Sequence, residues 1–175
     1  EQNIFILRGI YGKLKEKNKK ILNKFSVNYT DKDLTKLSKK FKFALIGIGQ
    51  IHSHQNRLRL FKKLKLLGFE IPTIKSKYSI ISKHSNIGEG TVVMHGAIIG
   101  PNVKIGNNCI INSNVLIEHG SKIQDNVHVS TSATINSGVQ VGAGSFIGSR
   151  SVIKQEVKIK NNTFIKMGSI IKKNL

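Results

Sequence analysis

The chain reads as a small α/β segment followed by a solenoid of short stacked strands, and three features lead there. From Ile81 a β-branched aliphatic recurs at every sixth residue, sixteen times without exception, as far as Ile171. Two residues before each stands Ser, Thr, Ala, Val or Cys, and three residues after each Gly or Asn fills twelve of the sixteen places. Residues 1–78 lack this period and instead show strand and helix signals in turn.

The N-terminal elements come first in order. "NIFILRG" has the apolar density of a strand, and Lys13–Phe25 that of a basic helix. Thr30 and Asp33 have the spacing of a capping box, which opens a short helix toward Lys40. "KFALIGIG" reads as a buried strand ending in Gly47 and Gly49. Leu58, Phe61, Leu64 and Leu67 give helical spacing, closed by Gly68, and "FEIPTI" reads as a further strand. The pattern is β-α-β, hence a small open α/β domain over residues 1–78. "GIG" alone is a tight strand-to-helix turn more often than a phosphate cradle.

The hexads over residues 79–175 follow from their period. Each is a short strand and then a tight turn at a Gly or Asn, the residues that tolerate positive φ. A helix drifts out of phase with a six-residue repeat, because 3.6 does not divide six. One unit cannot bury its own aliphatic, so successive coils stack. Each buried Ile or Val contributes roughly 1.5–3 kcal/mol. The unbroken period leaves no inserted loop between Ser79 and Leu175.

Composition narrows the partners. The 175 residues carry 29 Lys and Arg against 9 Asp and Glu, a net charge of +20. Residues 1–78 hold 19 basic and 5 acidic groups, and residues 79–175 hold 10 and 4. Such a chain attracts phosphates of any kind. Aromatics are only 6%, with no stacking motif for bases, so nucleic acid is not the expected partner. No apolar run approaches the roughly 18 residues of a membrane span, so membrane insertion is not expected. No signal peptide is visible, and a cytoplasmic location is expected. A single Cys109, at a small inward position, excludes an intrachain disulfide framework and reads as a packed thiol. The first residue is Glu1 rather than Met, which predicts residues upstream.

Hexads such as "IGEGTV", "IGPNVK" and "IGNNCI" resemble those of the hexapeptide acyltransferases. The resemblance covers residues 79–175. It implies a left-handed parallel β-helix of 18 residues per coil, about five coils, and a homotrimer with acetyl-coenzyme A between subunits. "FALIGIGQ", "GFEIPTI", "LIEHGSKI" and "NVHVS" together resemble the branch that acetylates sugars for bacterial surface glycans. That branch has a Rossmann-like N-terminal domain for the sugar nucleotide, opening on a strand and a Gly-Gly-His turn. No such motif precedes Ile4, so the resemblance implies a partial domain, trimmed by one β-α unit. The branch's proline-containing tail does not follow Leu175.

With 18 residues per coil, the residue before each aliphatic points outward and shares a face with every third hexad. One face presents Ile80, Ile98, Leu116, Thr134, Val152 and Ile170; a second presents Asn86, Lys104, Lys122, Gln140 and Lys158; a third presents Val92, Ile110, His128, Phe146 and Phe164. Two apolar faces and one polar face suit a ring of three, or one interface plus docking of the N-terminal segment.

The implied reaction is transfer of acetyl from acetyl-coenzyme A to an amino group of a nucleotide-linked sugar. O-acetylation of a sialic-acid-like sugar is the alternative acceptor chemistry, and a non-catalytic trimeric scaffold the alternative class. Acetyl transfer needs a base for the acceptor and a donor for the developing oxyanion, and no metal. A His at a prism corner is either solvated or set in a cleft, and position alone leaves both open for His119. The resemblance assigns His119, in "IEHG", as the base. The family usually has Asp or Glu after this His; here Gly120 stands there, leaving Glu118 to orient the imidazole. The resemblance gives His128 a contact to acetyl-coenzyme A, and gives Gly148, Ser149 and Met167 further coenzyme contacts. His119 and His128 are nine residues apart, half a coil, so one site using both takes them from neighbouring subunits. His128 also reads as a residue packed between Ile110 and Phe146. Lys166, Lys172 and Lys173 can meet phosphates or simply be solvated.

Overall fold

In the computed structural model, which describes residues 6–21 and 25–175, seventeen two-residue strands run from Ile74 to Ile171 and form three parallel sheets. Each strand pairs with those 18 residues before and after it, so that Ile110 lies between Val92 and His128. One sheet carries Ile80, Ile98, Leu116, Thr134, Val152 and Ile170 outward. The next carries Asn86, Lys104, Lys122, Gln140 and Lys158. The third carries Val92, Ile110, His128, Phe146 and Phe164, and extends one coil further back, to Ile74. This is a left-handed parallel β-helix, a three-sided prism with a short α/β part ahead of it.

The period-six aliphatics fill the prism. Ile111, Ile117, Ile135, Ile147 and Ile153 are wholly buried. The small residue two places earlier is buried as well, and where it is Ser or Thr its hydroxyl is satisfied. Ser121 donates to the Asn136 carbonyl (2.9 Å), Ser145 to that of Lys160 (3.0 Å), and Thr91 to that of Gly106 (2.8 Å). A buried hydroxyl without such a partner would cost free energy, so the column admits Ser and Thr only because an acceptor lies fifteen residues on.

Turns supply the corners. Asn102, Asn108, Asn114 and Asn126 have φ between 56° and 59°. Three of the four places where the Gly/Asn column lapses, Ser132, Arg150 and Glu156, also have positive φ, between 56° and 64°. The stacked coils impose that conformation on residues that disfavour it.

The N-terminal part differs in detail from its reading. Residues 3–5 of "NIFILRG" lie outside the described residues, and residues 6–9 carry no strand; the first strand is β1 (Ile10–Tyr11). Residues 22–24 of the helix read over Lys13–Phe25 lie outside the described residues, and the rest of it is not a helix. It holds a 3₁₀ turn (Leu14–Glu16) and β2 (Lys20–Ile21), which pairs antiparallel with β3 (Phe25–Tyr29). Its six lysines share one acidic residue, Glu16, Asn18 has φ 67°, and Phe25, Val27 and Tyr29 alternate as a strand. β1 lies parallel to the other edge of β3.

The capping box forms as read: Asp33 Oδ2 accepts from the Thr30 N–H (2.9 Å) and hydroxyl (3.1 Å), ahead of α1 (Leu34–Ser38). The helix read near Leu58 is α2 (Gln55–Leu66), closed by Gly68 at φ 85°. "KFALIGIG" is not a strand. It is an extended segment with one bridge, Phe43 to Glu70, and "FEIPTI" keeps only that bridge before joining the prism at Ile74. The reason is packing, since the segment's carbonyls bond to side chains in place of a neighbouring strand. Leu34, Leu37, Ile46, Leu64, Phe69 and Ile71 make a second, smaller core.

Candidate active site

His119 stands at the corner between the Leu116 sheet and the lysine sheet, and its side chain is exposed. Its carbonyl accepts from the Gly138 N–H (3.1 Å), which fixes the backbone while the imidazole stays exposed. Glu118 is half-buried beside it, and the two side chains form no hydrogen bond or ion pair with each other. Gly120 follows at φ 69°, with open space where a Cβ would sit.

His128 lies elsewhere, facing out from the third sheet yet only 7% exposed. The segment around Gln50 covers it. His128 Nδ1 makes a short hydrogen bond with the Gln50 carbonyl, and its Nε2 is 3.5 Å from the Asn112 amide nitrogen. Its ring meets Phe146 edge-on at 5.1 Å, Phe146 stacks on Phe164 at 5.1 Å, and His52 stacks on Phe164 at 5.4 Å. Burial pushes the His128 pKa below its ordinary value; the Gln50 carbonyl opposes this, and the Arg57 charge adds to it.

Gly148, Ser149 and Met167 gather at the corner between the third sheet and the Leu116 sheet. A Cβ on Gly148 would strike the Met167 backbone nitrogen of the next coil, so packing demands glycine there. The Ser149 hydroxyl is 2.9 Å from that of Ser130. Met167 is 79% exposed, and Lys166, Lys172 and Lys173 are exposed around the same end. This corner thus gathers hydroxyls, a flexible thioether and the Lys166 ammonium, while Lys172 and Lys173 follow the Ile170–Ile171 strand at the next corner, in line with His119. Within one chain the structure brings Gly148, Ser149 and Met167 together and keeps His119 apart from His128. Among the described residues no group of three or more His, Cys, Asp or Glu can hold a metal ion. Cys109 is buried, and burial pushes its thiol up to about 12.

Two residues of this neighbourhood escape a reading of motifs. Gln50 sits in the extended segment and Arg57 on the inner face of α2, where it is only 1% exposed. Arg57 shares that face with Phe61 and Leu64 at helical spacing, and an Arg inside an apolar stripe is the one signal that marks it.

The repeats and the architecture are those of known proteins. Residues 84–119 and 120–155 match the family described as bacterial transferase hexapeptide (six repeats). The matched residues, 84 to 155, make up most of the prism. Among curated proteins none matches the chain by sequence. Among solved structures, a perosamine N-acetyltransferase from Caulobacter crescentus, in complex with CoA and GDP-perosamine, has a TM-score of 0.85 at 22% identity, over 90% of this chain and 74% of that one. The acetyltransferase domain of PglB from Neisseria gonorrhoeae, in complex with acetyl coenzyme A, has a TM-score of 0.79 at 21% identity, over 89% and 74%. WeeI from Acinetobacter baumannii has a TM-score of 0.66 at 20% identity, over 87% and 77%. At these identities the likeness is one of fold. It includes the α/β part as well as the hexapeptide prism.

Proposed function

We propose that the protein is an acetyltransferase that moves acetyl from acetyl-coenzyme A to an amino group of a nucleotide-linked sugar. The observation that carries this is the likeness in fold, over 90% of the chain, to a sugar N-acetyltransferase whose structure holds both CoA and GDP-perosamine. The hexapeptide repeats and the open corner at His119 support it.

In this reading His119 is the general base. Its exposed imidazole takes a proton from the acceptor amine, and the nitrogen lone pair attacks the thioester carbonyl. The carbon–sulfur bond breaks, and the proton leaves with the thiol. The corner at Gly148, Ser149 and Met167 holds the coenzyme, with Lys166 of the same corner near its phosphates and Lys172 and Lys173 one corner further round. His128 supplies a buried polar contact to the same coenzyme.

The assembly is a homotrimer. On the Leu116 sheet Ile80 is 67%, Ile98 42% and Ile170 68% exposed, an apolar strip left open among the described residues. Packing this face against a neighbour brings His119 of one subunit toward the coenzyme corner of the next, which a single prism cannot do. Glu118 orients His119 only if that assembly turns its carboxylate inward.

A thiol-release assay with acetyl-coenzyme A tests the reading against a panel of 4-amino and 9-hydroxy sugars, free and nucleotide-linked. Turnover on an amino sugar is the expected result. Turnover on hydroxy sugars alone makes it an O-acetyltransferase. Coenzyme A binding by calorimetry without turnover on any acceptor makes it a scaffold.

A further inference from the structure

The corner where the lysine sheet turns into the third sheet carries a column of left-handed residues, one per coil, and the first three are Gly90, Asn108 and Asn126, with φ 67°, 56° and 59°. Their N–H groups bond to neighbouring backbone, but their carbonyls take part in no backbone hydrogen bond. On an open corner water would satisfy such carbonyls. Here the N-terminal segment buries them, so each requires a donor.

Two side chains supply the donors. Arg57 Nη2 donates to the Gly90 carbonyl (3.2 Å) and its Nε to that of Asn108 (3.3 Å). Gln50 Nε2 donates to the carbonyl of Asn126 (2.5 Å). The same guanidinium reaches back, through Nη1, to the carbonyls of Ile46 and Ile48, each at 2.8 Å. Arg57 therefore bonds two carbonyls of the prism and two of the segment, and no carboxylate. Desolvation brings its pKa down to about 10, still well above neutrality.

This staple decides where the next carbonyl goes. In extended backbone, carbonyls two residues apart point the same way. With those of Ile46 and Ile48 held inward on Arg57, that of Gln50 also turns inward, and it meets His128 Nδ1. A carbonyl oxygen only accepts, so Nδ1 carries the proton and neutral His128 keeps its lone pair on Nε2. Among the described residues Asn112 alone approaches Nε2, at 3.5 Å, too far for a strong bond, so that lone pair is weakly satisfied.

We propose that Arg57 and Gln50 are positioning residues for His128, holding it as the Nδ1–H tautomer so that Nε2 accepts a hydrogen bond from an amide N–H of the coenzyme's pantetheine arm. The proposal rests on the reading of His128 as a coenzyme contact. It makes the N-terminal segment part of the coenzyme site as well as of the acceptor site.

The test uses the full chain with ¹⁵N-labelled histidine. Long-range ¹H–¹⁵N correlations report the tautomer of His128 at pH 8, and calorimetry reports coenzyme A affinity. Wild type is expected to show a single Nδ1–H tautomer. Arg57→Met, which keeps the volume and removes the donors, is expected to give mixed tautomers and to weaken coenzyme A roughly tenfold, about the worth of one hydrogen bond. Gln50→Ala, which removes only the bond to Asn126, is expected to move both readouts in the same direction by less. A wild-type Nε2–H tautomer overturns the proposal whatever the variants do. An unchanged tautomer in both variants also overturns it, and if His128→Ala still weakens coenzyme A the contact itself stands. If Arg57→Met shifts the tautomer but His128→Ala binds coenzyme A like wild type, the coenzyme role of His128 falls and the staple survives.

Discussion

His119 and His128 are the same residue type nine positions apart, and their surroundings give them different chemistry. His119 is exposed at a corner, where an imidazole can exchange protons with an acceptor. His119→Ala is expected to lower the acetyl-transfer rate by roughly 10²–10⁴, the usual worth of a general base, with coenzyme affinity unchanged in calorimetry. Gly120 sits at φ 69° with free space around it, so Gly120→Asp fits sterically at a conformational cost of about 1 kcal/mol. It is expected to fold, to melt a few degrees lower, and to raise the rate by placing a carboxylate beside His119. His128 is buried, and its pKa is lowered. As pH falls through about 6.5 the unfolded chain takes up this proton before the folded one does. The stability His128 contributes is therefore complete above that pH and is lost as pH drops through the lower folded value. Urea midpoints measured from pH 8 to pH 5 are expected to fall, and to fall less in His128→Asn.

At the scale of elements the strands are only two residues long, and no single one is stable alone. What holds them is the column of inward aliphatics and the register of 18. Ile135 is wholly buried at the centre of that column. Ile135→Ala is expected to cost 2–5 kcal/mol in denaturant unfolding, because the stacked backbone cannot collapse around the cavity. A loss under about 1 kcal/mol would mean that the coils are not rigidly stacked. α2 owes its place to the same backbone. Its Arg57 reads the carbonyls of two successive coils, so the helix is fixed in register with the prism.

For the whole molecule the three faces have three fates. The third is covered by the chain's own N-terminal segment as far as Phe146, with Phe164 45% exposed beyond it, and the lysine sheet is solvated. The Leu116 sheet presents its apolar strip outward. Ile98 is 42% exposed there and pairs with both Ile80 and Leu116. Light scattering is expected to give the mass of three chains, and Ile98→Glu to give one, with the circular dichroism spectrum of the prism kept. A wild-type monomer at micromolar concentration would remove the shared site, and with it the division of His119 and His128 between subunits.

The prism was legible residue by residue, because a six-residue period is a local property. Ile81 to Ile171 announce the inward column, and Asn102 or Gly144 announce the turns. Even the membership of each face follows from counting to 18. The N-terminal part was not legible in the same way. The lysines of residues 13–20 allow helix or hairpin, and only pairing of Ile21 with Phe25 decides for the hairpin. "KFALIGIG" has the composition of a strand, but a strand needs a neighbour, and tertiary packing gives its carbonyls Arg57 and His128 instead. The sequence by itself determined the coil, its core and the position of His119 at a corner. Only the tertiary structure decided that His128 is buried under Gln50 and that Arg57 ties the two parts together. Those contacts join residues 33 to 78 positions apart, and no local pattern encodes a contact of that range.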